Sequence, residues 1–403
     1  MPRKSSTRAA QGAGTIRKKT VTRSGKEYTY WEARITVGRD PGTGKQIQRS
    51  ITGKTQKEVR EKLQAAAVSL NEGDYFEPSK MTLVRWIEIW LDEYTGDKKY
   101  LTVKHYRAQC TSHIIPGLGA VKLSALTTPQ IQAFYNGLLR AGLSPKSVRN
   151  VHGILTKCLS TAAQVGYLKS NPASMVTLPK VVKKEITPLT DEQVRDFLRA
   201  SAGDEYEIPL KVILFTGLRE SEAIGLTWDC VDFKAGTVTV CKQLQKRPLA
   251  DGGWVFAPLK NDKTRILKPA PFVMELLARR RKEQVEQRLK AGEVWQGWKD
   301  SDGMKSALVF TTANGSHLSP QTMYLHYKKL AAQIGAPDSR VHDLRHTFAV
   351  LSLQNGDDVK TVQGNLGHAT AAFTLDVYGH DSEKMKEDSA ARMEGYIRGI
   401  ANL

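Results

Sequence analysis

The spacing of apolar residues changes twice along this 403-residue chain, and no single core can serve all three patterns. Between Tyr28 and Val37 the apolar and polar residues alternate: Trp31, Ala33, Ile35 and Val37 fall on one side, and Tyr28, Tyr30, Glu32, Arg34 and Thr36 on the other. A period of two is the mark of a half-buried strand. Flanking segments Thr15–Arg23 and Lys45–Thr52 read as two more strands, joined by turns at Ser24-Gly25 and Asp40-Pro41-Gly42-Thr43-Gly44. A helix is expected from Thr55 to Asn71, with Thr55 as cap and Glu58 three residues on. From residue 81 the period becomes helical, with Leu83, Trp86, Ile87, Trp90, Leu91 and Tyr94 on one stripe, read as core. Leu101–Ile114 follows as a helix ended by Pro116-Gly117, and Thr128-Pro129 and Ser144-Pro145 open two more. Asn171-Pro172 closes this region. After the basic stretch Leu178–Glu185 the pattern turns mixed: a helix start at Thr190-Asp191-Glu192-Gln193, a helical stretch Pro209–Gly225, strands Gly236–Gln243, Trp254–Pro258 and Arg265–Lys268, a helix Pro271–Leu289, and helices from Ser319 to the end. The expectation is therefore a multidomain, mainly α protein with small β-sheets (α+β). Its parts are residues 1–75 (a disordered arm, 1–14, then a three-stranded sheet plus helix), a helical domain 81–178, and a mixed α/β domain 186–403.

Charge narrows the partners. Lysine and arginine number 60 against 41 acids, a net charge of +19. The first 26 residues hold eight basic groups and no acid. Such an excess favours a polyanion, because each phosphate contact releases condensed counterions. Lys146, Arg149 and Lys157 are candidates for backbone contacts in the helical region. Four scattered cysteines with no CxxC pair argue against a disulfide framework and a zinc finger. The basic N-terminus lacks an apolar signal core, so a cytoplasmic home and no membrane are expected.

Four short motifs carry the chemistry: Thr216-Gly217-Leu218-Arg219-Glu220-Ser221-Glu222, then His342-Asp343-Leu344-Arg345-His346, then Leu366-Gly367-His368, then Tyr378. A phosphodiester resists attack because its non-bridging oxygens repel nucleophiles. A guanidinium stays charged and presents a planar fork that bonds two oxygens together, which makes Arg219 and Arg345 the candidate forks. Arg219 lies in an apolar stretch, so it needs an anionic partner, and Glu222 is placed to orient it. Tyr378 is the candidate nucleophile. A phenol has a pKa of about 10 and needs nearby cations and a base, for which His342 and His368 stand available. The leaving 5′-oxygen needs a proton, for which Lys260 is the candidate acid and Lys263 its neighbour and competitor. A phosphotyrosine conserves the energy of the cut backbone, so rejoining needs no nucleotide. Consistently, Gly53-Lys54-Thr55 has Gln48 where a phosphate-binding loop requires glycine. His342 and His346 share the spacing of a zinc peptidase helix, but Asp343 replaces its glutamate and no third ligand is evident.

Taken in order, these motifs closely resemble the tyrosine recombinases, the lambda-integrase family. The resemblance runs over the whole chain, and the N-terminal module and the Leu189–Glu192 entry look most like integrases of Gram-positive integrative and conjugative elements. It implies that Arg219, Lys260, His342, Arg345 and His368 surround the scissile phosphate, that Tyr378 attacks it and that Glu222 supports the site. It further implies an arm-binding sheet, a core-binding helical domain and a catalytic domain. The partners would be core and arm attachment sites in duplex DNA and a homotetramer that exchanges strands through a four-way junction. No metal or nucleotide cofactor is implied, and a small accessory excision or DNA-bending protein is a partner to be tested for. Type IB topoisomerases share the chemistry but not the separate N-terminal module. A non-enzymatic DNA-binding regulator would leave the phenol, arginines and histidines unexplained.

Overall fold

The computed structural model describes residues 15–23, 26–39, 46–71, 81–182, 187–248, 253–260, 262–299, 305–368, 370 and 383–401. Met1–Gly14, both N-terminal turns and Tyr378 lie outside them. The chain divides into two compact units, Met1–Lys183 and Lys184–Leu403.

The first unit begins with the antiparallel sheet β1 (Ile16–Arg23), β2 (Lys26–Arg39) and β3 (Gln46–Gly53), in that order. Ala33 and Ile35 of β2 are buried against Val59 and Leu63 of α1 (Gln56–Asn71), as the alternation requires. Glu58 donates its N–H to the Thr55 hydroxyl and accepts the Lys54 N–H on its carboxylate, closing the first turn of α1. Glu32 departs from the expected exposed row. It faces Arg17 across the ladder and is covered by Arg17 at 2.9 Å and Lys19 at 3.6 Å. Hydrogen bonding to Arg17 keeps its carboxyl below the ordinary range. Two of the basic groups of β1 are thus engaged within the sheet.

In α2 (Leu83–Glu93) the apolar stripe is core: Leu83, Trp86, Ile87, Trp90 and Leu91 are all buried, and the Trp86 indole N–H donates to the Cys158 carbonyl. The next helix does not stop at Pro116-Gly117. α3 (Tyr100–Gln109) runs into a π turn, Cys110–Ile114, and then into α4 (Ile115–Leu118). A proline inside an α-helix lacks a donor and collides with the carbonyl four residues back. The wider π turn shifts the hydrogen-bond register by one, so the chain carries Pro116 without breaking. α5 (Thr128–Arg140) is capped by Thr127, one residue earlier than expected, whose N–H donates to Gln130. Ser144 caps α6 (Pro145–Gln164). Asn171 ties the end of the region to α6, donating to the Thr156 carbonyl and the Ser160 hydroxyl. Lys157 donates to the Tyr106 hydroxyl and Arg149 to the Pro179 carbonyl, so both are used by the fold, while Lys146 is exposed.

The second unit opens with α7 (Asp191–Ala200), whose first turn is closed by Thr190 and Gln193 bonding each other's backbone N–H. Two helices stand where one was expected over Pro209–Gly225: α8 (Glu207–Thr216) and α9 (Glu220–Ile224). β4 (Val231–Asp232), β5 (Thr237–Val240) and β8 (Arg265–Leu267) make an antiparallel sheet, and β6 (Lys242–Lys246) pairs with β7 (Trp254–Pro258). The expected strand Gly236–Gln243 is therefore broken at Cys241 and shared between two sheets. The cause is tertiary. β6 turns to follow α9 so closely that a Cβ on Gly225 would stand 2.6 Å from the Leu244 nitrogen, and Ser221 donates to the Gln243 side chain. α10 (Pro271–Ala291), the short pair β9 (Trp298–Lys299) and β10 (Lys305–Ser306), α11 (Pro320–Gln333), α12 (Val341–Gln354), α13 (Val359–Leu366) and a terminal helix (Glu383–Ala401) complete the unit. Its core gathers Leu210, Ile213, Leu214, Leu218, Ile224 and Leu344 around α8. No helix among the described residues is long and apolar enough to cross a membrane.

Candidate active site

Gly217 makes the first element of the site. It ends α8 with φ +65°, a left-handed conformation that L side chains rarely adopt. A Cβ there would also lie 2.5 Å from Phe348 of α12 and 2.7 Å from Leu366 of α13. Both constraints demand glycine, and together they let three elements meet. The sharp exit places Leu218 in the core and leaves Arg219 as the first extended residue before α9.

Glu222, one turn into α9, is buried and accepts three sets of bonds. Its carboxylate takes the Arg219 N–H at 3.0 Å and the Arg219 guanidinium at 2.7 Å. Arg265 of β8 completes the set with two bonds, at 2.6 and 3.2 Å. Burial alone would raise the Glu222 pKa. The hydrogen bonds and charge of Arg265, followed by those of Arg219, outweigh it and bring the carboxyl to about 2. Arg265 also donates from Nε to the Asn365 carbonyl at 2.8 Å, so it straps the Arg219 turn to the end of α13.

Arg345 lies on α12 and is almost wholly buried. Its two terminal nitrogens donate to the Gly217 and Leu366 carbonyls. It therefore holds the α8 exit and the α13 end together, using two of its five donors for this purpose. Gly367, at φ +63°, terminates α13 and turns the chain into His368. That residue is fixed by its N–H to the Gln363 carbonyl and by the Gln363 amide to its own carbonyl. Asp343 does not face this cluster: it bonds the Arg340 N–H and guanidinium and closes the first turn of α12. His342 is exposed, its ring edge-on to His346 with centroids 4.7 Å apart. No group of three His, Cys, Asp or Glu residues that could hold a metal occurs among the described residues.

Burial, then the charges of Arg345 and Arg219, lower His368 to about 3. Burial, then His342, lower His346 to about 4. Both imidazoles are neutral at physiological pH and can accept a proton. This has a consequence for stability. The unfolded chain protonates these groups near 6.5 and the folded chain resists, so their contribution is full above 6.5 and is lost as pH falls towards 4. The urea midpoint of the DNA-free protein should fall from about pH 7 to about pH 5, and His368→Asn should flatten that slope. An unchanged slope in the variant would remove this account of His368.

The structure thus gathers Arg219, Glu222, Arg345 and His368, with the exposed His342 close enough to feel the charges of Arg345 and Arg219. Lys260 is exposed on the β7–β8 connection that leads to Arg265, as is Lys263. Asp262 between them has φ +52°, which bends the connection sharply. Tyr378 is outside the described residues. Arg265 is the site residue that the sequence reading missed.

Residues 187–385 match the phage integrase family, and residues 82–139 match the N-terminal SAM-like domain of phage integrases. A tyrosine recombinase XerC-like protein of Caldanaerobacter subterraneus subsp. tengcongensis is 27% identical over 93% of this chain and 97% of its own. The ICEBs1 integrase of Bacillus subtilis is 24% identical over 91% of this chain and 97% of its own. Among solved structures, the Tn1549 transposon integrase in complex with circular intermediate DNA is similar at a TM-score of 0.66, with 20% identity, 78% of this chain and 100% of that one covered. A lambda integrase tetramer bound to a Holliday junction follows at 0.54, with 17% identity and 94% and 99% covered.

Proposed function

This chain belongs to the phage integrase family, the tyrosine recombinases, and from that premise we propose how its site works on the duplex DNA ends of a mobile element. It is a site-specific recombinase that integrates and excises such an element. The scissile phosphate sits against Arg219 and Arg345. The Tyr378 oxygen attacks phosphorus, the bond to the 5′-oxygen breaks, and a 3′-phosphotyrosyl link forms. The phenol proton passes to a neutral imidazole, His368 or His342. The departing 5′-oxygen takes a proton from the β7–β8 connection, with Lys260 the first choice and Lys263 the second. Reversal with a new 5′-hydroxyl rejoins the strand, and nothing is spent.

One observation carries this reading. Three guanidinium groups, those of Arg219, Arg265 and Arg345, converge on a cluster in which Glu222 supplies the carboxylate. Their charges exceed that of Glu222, which suits an anion, and His368 feels all three. The basic sheet of the first unit suits arm sites and the helical region suits core sites. The terminal helix carries Met393, Tyr396, Ile397 and Ile400, all exposed at helical spacing. That stripe suits a neighbouring subunit in a tetramer assembled on DNA.

The test is recombination between two plasmids, one with the joined ends of the element that carries this gene and one with its target. Recombinant product is expected in excess chelator and without nucleotide. Truncation after Ser382 should leave binding of a single site intact and lower recombinant yield by at least about tenfold, by removing the apolar stripe. Tight binding to both DNAs with no strand joining under any condition would favour the regulator reading. An unchanged yield in the truncated protein would remove the role given to the terminal helix.

A further inference from the structure

We propose that Cys230 and Cys241 form a disulfide when hydrogen peroxide is present, and that this bond resets the strand junction next to the active site. Their sulfurs lie 3.6 Å apart. Cys241 is exposed and Cys230 is buried beneath it, so one thiol meets the oxidant while the other waits within reach. Cys110 and Cys158 are both buried in the first unit. In the first step the Cys241 sulfur attacks peroxide: an S–O bond forms, the O–O bond breaks, and the thiol proton leaves with the departing oxygen as water. In the second the Cys230 sulfur attacks that sulfenic sulfur: the S–S bond forms, the S–O bond breaks, and a second water leaves. Two thiols are oxidised and one peroxide is reduced.

The position of the pair gives the bond its effect. Cys241 is the single residue between β5 and β6. On one side of it Val240 pairs with Arg265, and on the other Lys242 pairs with Pro258, two residues before Lys260. Cys230 immediately precedes β4, where Val231 pairs with Val238. Extending that register sets Cys230 level with Thr239, so Cys241 is its diagonal neighbour. Diagonal Cα atoms in an antiparallel pair are about 7–8 Å apart, and a disulfide usually spans about 5.5–6 Å. Bringing the sulfurs from 3.6 Å to about 2 Å must therefore draw the junction towards β4. The β8 strand bearing Arg265 and the connection bearing Lys260 are paired to that junction and shift with it. Burial and the hydrogen bond to Cys230 hold the Cys241 thiol above its ordinary pKa, with Lys242 acting in the opposite direction and Asp229 in the same. Bond formation is then slow at neutral pH and builds under sustained oxidant. The bond itself does not depend on the reading of the site as a recombinase; its effect on DNA cleavage does.

Trypsin separates the two cysteines, because Lys234 lies between them and Lys242 follows Cys241. The full-length protein is treated with hydrogen peroxide, capped with N-ethylmaleimide, digested and mapped by mass. The expected product joins peptide 220–234 to peptide 235–242, two hydrogens lighter than their sum, and it is absent in Cys241→Ser and Cys230→Ser. Hydrogen exchange over residues 239–244 and 254–266 should differ between oxidised and reduced protein, and not in either variant. Cleavage of nicked attachment-site DNA should fall by about tenfold on oxidation and recover in dithiothreitol. Unjoined peptides, or a bond to Cys110, Cys158 or a second copy, overturn the proposal. A joined pair with unchanged exchange overturns the resetting of the junction, and changed exchange with unchanged cleavage overturns its link to catalysis. A reduced protein that cleaves no DNA counts against the recombinase reading, while the mapping still decides the bond.

Discussion

Arg219→Lys should lower single-turnover strand cleavage by about a thousandfold and leave the affinity for an attachment site within about threefold. Lysine keeps the charge but has one ammonium in place of a planar fork. Arg219 already commits Nη1 to Glu222 at 2.7 Å, and that bond fixes the plane in which the remaining donors point. An ammonium at this position can satisfy Glu222 or the phosphate, not both in the geometry of the transition state. Removal of one preorganised donor to a developing oxyanion typically costs about a hundred- to a thousandfold. DNA affinity is spread over many basic groups in a chain of +19, so one phosphate contact changes it little. Cleavage within threefold of the parent would contradict the role of Arg219 as a fork.

Glu222→Ala should have the largest effect on folding. The carboxylate is buried and holds two guanidinium groups, of which Arg265 is itself only 10% exposed. Deleting one partner of a buried pair leaves the other charge uncompensated, at a cost of about 3–5 kcal/mol. In a unit of this size that lowers Tm by roughly 10 °C. The pH dependence follows from the lowered carboxyl. Its contribution is present above the ordinary value of 4.5 and is lost as pH falls to about 2, so parent and variant should converge only in strong acid. Arg265→Met in the Glu222→Ala background should recover part of the lost stability, because it removes the stranded charge. A double variant no more stable than Glu222→Ala would place the cost in packing instead, as measured by thermal unfolding at about pH 7.

The motif residues were legible because their local structure depends on local sequence. Gly217 before Arg219 and Gly367 before His368 are helix ends that only glycine makes easily, and both are written beside the residue they aim. Arg345 was legible from its motif on a helix, but its near-complete burial was not part of that reading. Arg265 had no such signature. Its partners are 43 and 100 residues away in sequence, and its strand is three residues long. The available signal was alternation: Arg265 and Leu267 share the inward face while Ile266 points to solvent, and an arginine facing inward needs a carboxylate. The break at Cys241 and the continuation through Pro116 were hidden for another reason. Both arise where neighbouring elements override a local preference, α9 in the first case and the π turn in the second. Glu32 showed the limit of a strict alternation rule: its position is on the outer row, and cross-strand basic groups bury it.

The most direct measurement uses nicked DNA from the flanks of the element, incubated with the protein and resolved on a denaturing gel. The nick lets the short strand diffuse away and traps the intermediate. A covalent, protease-sensitive adduct at the 3′ side of the cut is expected with the parent protein and is expected to be absent with Tyr378→Phe. An adduct that persists in Tyr378→Phe, or that maps to another tyrosine such as Tyr396, would contradict the account.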